Sequence, residues 1–361
     1  MGRRTRGCCR PRGRRRTRTR RPSSGRSEVL ARLAENLFWA GRYVERAEDT
    51  ARMVDVTYHT LLESPQGRGS QSWEQLLEVL HLQQLYGDGP IEPERAVEFL
   101  VIDRDNPGSI AACITRAREN VRSVRELVSS ELWESINDLH LTLRSRDMRQ
   151  ELLDQPFQLL RWIRRDCMTI YGVASETMPR DDVWRFMALG RLLERAEMTC
   201  RLIDVRYGQL EPVVGASPRA AVGGEAAMGA GRTDFHHWTS VLKSASALEA
   251  YRRRYRSSMD PADVVEFLLL EPDLPRSVVF CLTGAMHQLE ALSGGAPSPA
   301  TRRLGRATSS LQYRDVTDLF DVGLHEFLDG VQDQVGEVAD AVAAEFFRHQ
   351  PTGAMHAIAT G

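Results

Sequence analysis

Lysine is almost missing from this 361-residue chain: of 48 basic side chains, only Lys243 is a lysine and the rest are arginine. Long apolar runs are missing as well. None approaches the roughly 20 residues needed to cross a bilayer. The basic start is not followed by the apolar segment of about 7 to 15 residues that a secretory signal requires. The expectation is a cytoplasmic protein with no membrane partner. Six cysteines occur, yet Cys113, Cys167, Cys200 and Cys281 lie far apart among apolar helical residues, without the CxxC spacing of a zinc or redox site. They read as buried free thiols. The nine histidines show no HExxH spacing, and the adjacent His236 and His237 must point to different sides of any helix. No nucleophile-base pair, Gly-rich phosphate loop or Walker segment is present. No cofactor, metal or reaction is therefore legible, and a binding role is expected ahead of an enzymatic one.

What is present is 42% hydrophobic and 27% charged, ordinary for a globular protein long enough for a sizeable core. The near-neutral total hides two unlike parts. Residues 1–27 hold twelve Arg and no acid, leaving 36 basic against 49 acidic side chains in the rest. Such a tail would bind nucleic acid or another polyanion. The reading preferred here is a disordered, mis-assigned start, with Val29 as the true one, so nucleic acid is not an expected partner.

Apolar residues recur at helical spacing almost throughout, and no segment alternates cleanly enough for a strand. The expectation is an all-α chain whose domain covers residues 28–347. A first long helix is predicted from Glu28 to Glu63, with Ser27 as N-cap, ending at Ser64-Pro65-Gln66-Gly67. A second runs from near Asp181 to near Tyr207. A Gly/Ala/Pro-rich loop is expected over residues 208–233, a final long helix over Val316 to Phe347, and a disordered tail over 348–361.

The chain repeats itself. GRYVERAEDTARMVDV (Gly41 to Val56) and GRLLERAEMTCRLIDV (Gly190 to Val205) agree at ten of sixteen positions. Trp73, Leu76, Leu77 and Tyr86 recur as Trp238, Val241, Leu242 and Tyr251. VEFLVIDRDNPGSIAACITRA (Val97 to Ala117) aligns without gaps to VEFLLLEPDLPRSVVFCLTGA (Val265 to Ala285). In both, a helix opens at a proline (Pro93, Pro261), and a second proline (Pro107, Pro275) suits the first turn of a longer helix. Three blocks in the same order imply a helical bundle of two duplicated multi-helix units, about 28–145 and 180–293, related by a pseudo-twofold.

On a helix turning about 100° per residue, Leu33, Leu37, Ala40, Val44, Ala47, Ala51 and Val54 form one apolar stripe. Gly41, Glu45, Glu48, Arg52 and Asp55 form its shoulder, matched by Gly190, Glu194, Glu197, Arg201 and Asp204. Arg42 and Arg46, with Arg191 and Arg195, are expected on the far side. One reading of the shoulder is a partly buried ionic ladder, in which Arg52 reaches Glu48 and Asp55 and the glycine admits a neighbouring helix. Another has the two shoulders face each other as a polar binding site. Four carboxylates on helices invite comparison with di-metal bundles, but those use Glu-x-x-His on two helices and no His stands at i+3 here. A second polar cluster, Arg116, Arg118, Glu119, Asn120 and Arg122 with Arg125, Trp133 and Asn137, could receive phosphate or carboxylate through Arg118, Asn120 and Arg122. His287, Gln288 and Leu289 stand where the second repeat would carry Glu119, Asn120 and Val121.

The stretches AENLFWAGRYVERAEDTARMVDV, TRARENVRSVRELVSSELWESIN and MPRDDVWRFMALGRLLERAEMTCRLIDV resemble the bacterial alpha-E proteins, a helical family named for its Glu-Arg motif, from about Val29 to Phe347. The resemblance implies a protein encoded beside, and sometimes fused to, a circularly permuted ATP-grasp ligase, often with a transglutaminase-like cysteine peptidase nearby. From it follows the expectation of a non-catalytic accessory or binding subunit in peptide synthesis or modification, with a peptide acceptor as further partner. The alternative is an enzyme with a carboxylate-rich, metal-dependent site between the two Glu-Arg repeats.

Overall fold

The computed structural model describes residues 24–63, 69–208, 225–256 and 259–347. Among them all regular structure is helical. The long first helix, α1 (Ser24–Glu63), is 40 residues and so about 60 Å in length. It leads through α2 (Gly69–Val79), α3 (Gln83–Tyr86) and α4 (Pro93–Val101) to α5 (Ile110–Ser123). Then come α6 (Ser130–Ser145), α7 (Met148–Asp154), α8 (Pro156–Thr177) and the second long helix, α9 (Asp182–Gly208). The chain continues with α10 (Glu225–Ser244), α11 (Leu248–Tyr255), α12 (Pro261–Leu270), α13 (Val278–Leu292) and α14 (Pro299–Gln312). It closes with α15 (Val316–Val322), α16 (Leu324–Val342) and a π-helical turn, Ala343–Phe347.

Helices α1 and α9 pack along each other at the centre of the bundle, with α5 and α8 against α1, and α13 and α16 against α9. The stripe predicted on α1 supplies the core: Leu37, Ala40, Val44, Ala47, Ala51 and Val54 are buried, and Leu33 packs against them half-buried. Trp73 and Trp238 are both fully buried, so the repeated aromatic positions are core positions. All four cysteines of the body are buried free thiols. Burial pushes Cys113 and Cys281 up to about 12, which leaves them unreactive at neutral pH.

The third repeated block has a common local design. Ser109 and Ser277 cap α5 and α13, each accepting from a backbone N–H at 3.1 Å (Ala112, Phe280). Each hydroxyl donates back to a carbonyl six residues earlier, on Asp103 and Glu271. The serines correct the placing of Pro107 and Pro275 in a first helical turn. Both prolines lie two residues ahead of the cap, because the serine oxygen satisfies an orphan N–H that a proline cannot. Their carbonyls instead accept from the thiols of Cys113 and Cys281, each at 3.6 Å. Pro93 and Pro261 do open α4 and α12 at the first helical position.

Three boundaries differ from expectation. Helix α1 already runs at Ser24, so Ser27 lies inside it and only residues 1–23 of the expected tail lie outside the described residues. Helix α10 begins at Glu225, inside the expected 208–233 loop, where the Ala-rich run outweighs its glycines; residues 209–224 and the 348–361 tail lie outside the described residues. The final helix breaks at Gly323, whose φ of 99° no helix accommodates. No described helix is long and apolar enough to cross a membrane.

Candidate functional site

The site begins with two glycines. A Cβ added at Gly41 would lie 2.1 Å from the carbonyl oxygen of Met187, and one at Gly190 would lie 2.0 Å from that of Phe38. Backbone therefore meets backbone where α1 crosses α9, and side chains flanking each glycine fall against the opposite helix. This corrects the far-side placing of the arginines: at so close a crossing, a long guanidinium one position off the shoulder still reaches the neighbour.

The Glu-Arg dipeptide is the unit of the contact. Arg195 grips Glu45 with two hydrogen bonds (Nε to Oε1 2.5 Å, Nη2 to Oε2 3.0 Å). Reciprocally, Arg46 grips Glu194 (Nε to Oε1 2.5 Å, Nη2 to Oε2 3.1 Å). Arg191 adds to Glu45 at 3.6 Å, and Arg42 to Glu194 at 2.6 Å. Both glutamates are fully buried, a setting in which unpaired carboxylates would be prohibitive and fork-shaped guanidinium pairing is the effective remedy. Burial pushes Glu45 up, but Arg195 and Arg276 outweigh it and hold its pKa at about 2. Arg46 and Arg42 likewise outweigh burial at Glu194 and hold it at about 2.

Around each glutamate lies a separate network. On the Glu45 side Arg276, from the segment before α13, touches three carboxylates: Glu48 at 2.5 Å, Asp49 at 2.6 Å and Glu45 at 3.2 Å. Arg52 pairs with Glu48, lies 3.2 Å from Asp49 and donates to the Ser244 carbonyl at 3.3 Å. Burial, with Glu45 beside it, pushes Asp49 up to about 7 against the pull of Arg276. On the Glu194 side Arg42 and Arg201 both pair with Glu197.

Of the residues singled out in sequence, Glu45, Glu48 and Arg52 thus share one network, and Glu194, Glu197 and Arg201 the other. The predicted Arg52–Asp55 step is not made. Asp55 turns to Arg164 of α8 at 2.8 Å, and Asp204 to His325 of α16 at 2.7 Å. The four shoulder glutamates do not converge. Among the described residues, Glu45 and Glu48 group with Asp49, within 4.8 Å, and Arg276 already supplies the cation there. Arg118 hydrogen bonds to Asn137 (3.1 Å) and to Glu119 (2.5 Å), Arg122 is 3.3 Å from Glu119 on the exposed face, and the guanidinium of Arg118 lies 5.4 Å from the Trp133 ring centre.

Asn120 instead lines a cleft of about 530 Å³ over the Glu194 side, with Trp39, Arg42, Tyr43, Arg46, Arg116 and Arg201. A smaller cleft of about 380 Å³ lies on the Glu45 side, bounded by Tyr171, Arg191, Arg195 and Arg276. Sequence reasoning missed Asp49 and Arg276 altogether, and placed Arg116 in the second polar cluster without foreseeing that it enters the larger cleft. The signal was there in the ungapped third block, where Arg276 stands against Gly108.

An all-helical bundle centred on a buried, reciprocal Glu-Arg contact is the class of protein these features define. The chain belongs to the Alpha-E family, described as a predicted alpha-helical domain with a conserved ER motif, which it matches over residues 29–347. It is 25% identical over 341 residues to an uncharacterized protein of Mycobacterium bovis, and likewise to uncharacterized proteins of two Mycobacterium tuberculosis strains. Each match covers 87% of this chain and 36% of the relative, so the chain spans about a third of the length of the curated relatives it matches. No solved structure matches it.

Proposed function

We propose that this protein is a non-catalytic helical binding or accessory subunit, built from two duplicated units related by a pseudo-twofold that passes between Gly41 and Gly190. The observation that carries the reading is the state of the central carboxylates. Glu45, Glu48, Glu194 and Glu197 are each engaged by at least one guanidinium. Glu45 and Glu194, held at about 2 by paired arginines, are poor proton acceptors at neutral pH, so these two carboxylates fix helices rather than move protons. The buried thiols offer no nucleophile either.

The partner we propose, from the family resemblance, is a circularly permuted ATP-grasp amide ligase, with a transglutaminase-like peptidase and a peptide acceptor in the same system. That the matching region is a minor part of longer relatives fits a unit that works beside other domains. The test is co-purification of the chain with the ligase encoded next to it, and ligase turnover with and without the chain. A stable complex that alters turnover is expected; no complex and unchanged turnover would sink the proposal.

A further inference from the structure

Three sequence differences between the repeated segments fall on one feature, the cleft beside Glu194. The aligned blocks place Gly108 opposite Arg276, Met198 opposite Asp49, and Arg116 opposite Gly284. On the Glu45 side Arg276 and Asp49 form an ion pair at 2.6 Å, with Arg276 also on Glu48 at 2.5 Å. Gly108 and Met198 both line the larger cleft, where no such pair can form. A cation and its buried counter-ion are thus exchanged together, for a glycine and an apolar side chain.

The third exchange adds charge where that ion pair is absent. Arg116 enters the cleft from α5, anchored by its Nη1 on the Pro107 carbonyl at 3.0 Å and lying over the Tyr43 ring at 5.8 Å. At the equivalent place on α13, Gly284 meets Leu192 instead. The cleft is walled by Trp39 and Tyr43, whose rings are 5.7 Å apart, where the second repeat has Ala188 and Leu192.

The donors are also incompletely used. Arg46 commits Nε and Nη2 to Glu194, Arg116 commits one amino group to Pro107, and Arg201 commits Nη2 to Glu197. Arg201 Nε is buried without a hydrogen-bond partner. Of the lining arginines, 42, 46 and 201 already pair with Glu194 and Glu197, and Glu119 is paired with Arg118 and Arg122. Among the described residues Arg116, held by the Pro107 carbonyl, is therefore the guanidinium of the lining without a carboxylate partner, with Asp105 the remaining acid. A concave site with a fixed guanidinium that no carboxylate neutralises concentrates anions. A volume of about 530 Å³ suits a small organic ligand.

We infer that this cleft binds an organic oxyanion, a carboxylate or phosphate carried on a flat apolar group, with the anion on Arg46, Arg116 and Arg201 and the flat group against Trp39 and Tyr43. The inference rests on reading the chain as a binding protein, but not on its partnership with a ligase.

The test is calorimetry on the full chain with four probes: hippurate, phenyl phosphate, the neutral amide of hippurate, and inorganic phosphate. One-to-one binding of hippurate or phenyl phosphate is expected, and the arm that binds names the oxyanion. The neutral amide should fail to bind, and inorganic phosphate should bind more weakly than phenyl phosphate. Arg116→Gly should weaken binding by roughly ten- to a hundredfold, the scale of a lost hydrogen bond to a charged group. G108R/M198D should abolish it, since it builds in the cleft the neutralised ion pair that Arg276 and Asp49 make on the Glu45 side, and a side chain at Gly108 needs Leu82 to give only a few tenths of an ångström. If that variant fails to fold, Trp39→Ala should weaken binding of the organic anions by removing one aromatic wall. The proposal is overturned if neither organic anion binds, if the neutral amide or inorganic phosphate binds equally well, or if binding survives Arg116→Gly and also either G108R/M198D or Trp39→Ala. A chain that binds the anion but no ligase would instead count against the ligase partnership alone.

Discussion

The Glu45 side and the Glu194 side start from the same residues and finish differently. Each has a glycine at the crossing, a buried glutamate in a two-pronged arginine grip, and a second glutamate one turn on with its own arginine. The Glu45 side then adds Arg276 and Asp49 in a four-way ionic knot beside a cleft of about 380 Å³, whereas the Glu194 side adds Arg116 and two aromatic walls around a larger cleft of about 530 Å³. The shared part is what holding two helices together at backbone distance requires. The unshared part is where a second role has room, because the Glu194 side keeps the framework without the Arg276–Asp49 pair.

The largest effect expected from breaking this comparison is at the glutamates. Glu194→Gln strands Arg42 and Arg46 with only Glu197 left between them, so a loss of about 3 to 5 kcal/mol is expected in denaturant unfolding. Glu45→Gln should cost at least as much, because Arg195 and Arg191 lose their one carboxylate among the described residues and only Arg276 keeps Glu48 and Asp49; a clearly smaller loss would break the comparison. The two glutamates, held at about 2 when folded and ionising in the ordinary carboxylate range when unfolded, stabilise fully above about pH 4.5. That contribution should disappear as pH falls from there to about 2. Asp49 has the opposite sign. Its folded value of about 7 means the folded state holds the proton more tightly, so stability should decline as pH rises from about 4 to 7. Thermal unfolding of Asp49→Asn across that range should show the slope flattened, a response the Glu194 side cannot give because Met198 stands there.

Next in size are the glycines. Gly41→Ala and Gly190→Ala each push a methyl into backbone, and each should cost about 3 kcal/mol or more, with closely similar values, since both crossings are equally tight. Clearly unequal losses would show that the two sides are not held alike. A smaller effect is expected from dismantling the Arg276–Asp49 pair. Arg276→Gly and Asp49→Met should each destabilise, yet the double variant should cost about 1 to 3 kcal/mol less than their sum, the coupling of a paired buried charge. Additive losses would mean the two residues do not act as one unit. Smallest of all, Arg122→Ala on the exposed face should change stability by no more than about 0.5 kcal/mol.

Much of this was legible before the fold. The stripe from Leu33 to Val54 gave the core face of α1, because helical period and burial are tied together by geometry. The glycine in each repeat foretold a close neighbour, since only the smallest residue tolerates backbone contact. Glu48 and Arg52 could be paired from spacing alone, because residues four apart share a face. Their assignment as one ladder running on to Asp55 failed, since Arg164 arrives from α8, 109 positions away in sequence, and no local rule reports it. The same limit hid Arg276, which reaches Asp49 across 227 positions.

The sequence by itself determined the helices, their buried faces and the positions where two of them must touch, because periodicity, capping and residue size act over a few neighbouring residues. Only the tertiary structure decided which arginine meets which glutamate. That choice depends on how closely α1 and α9 cross, and a guanidinium can turn to whichever carboxylate the packed neighbour presents. The exchanges of Arg276 for Gly108 and Asp49 for Met198 are written in the sequence, but only packing decided that they meet at the Glu-Arg centre and leave the two sides differently lined.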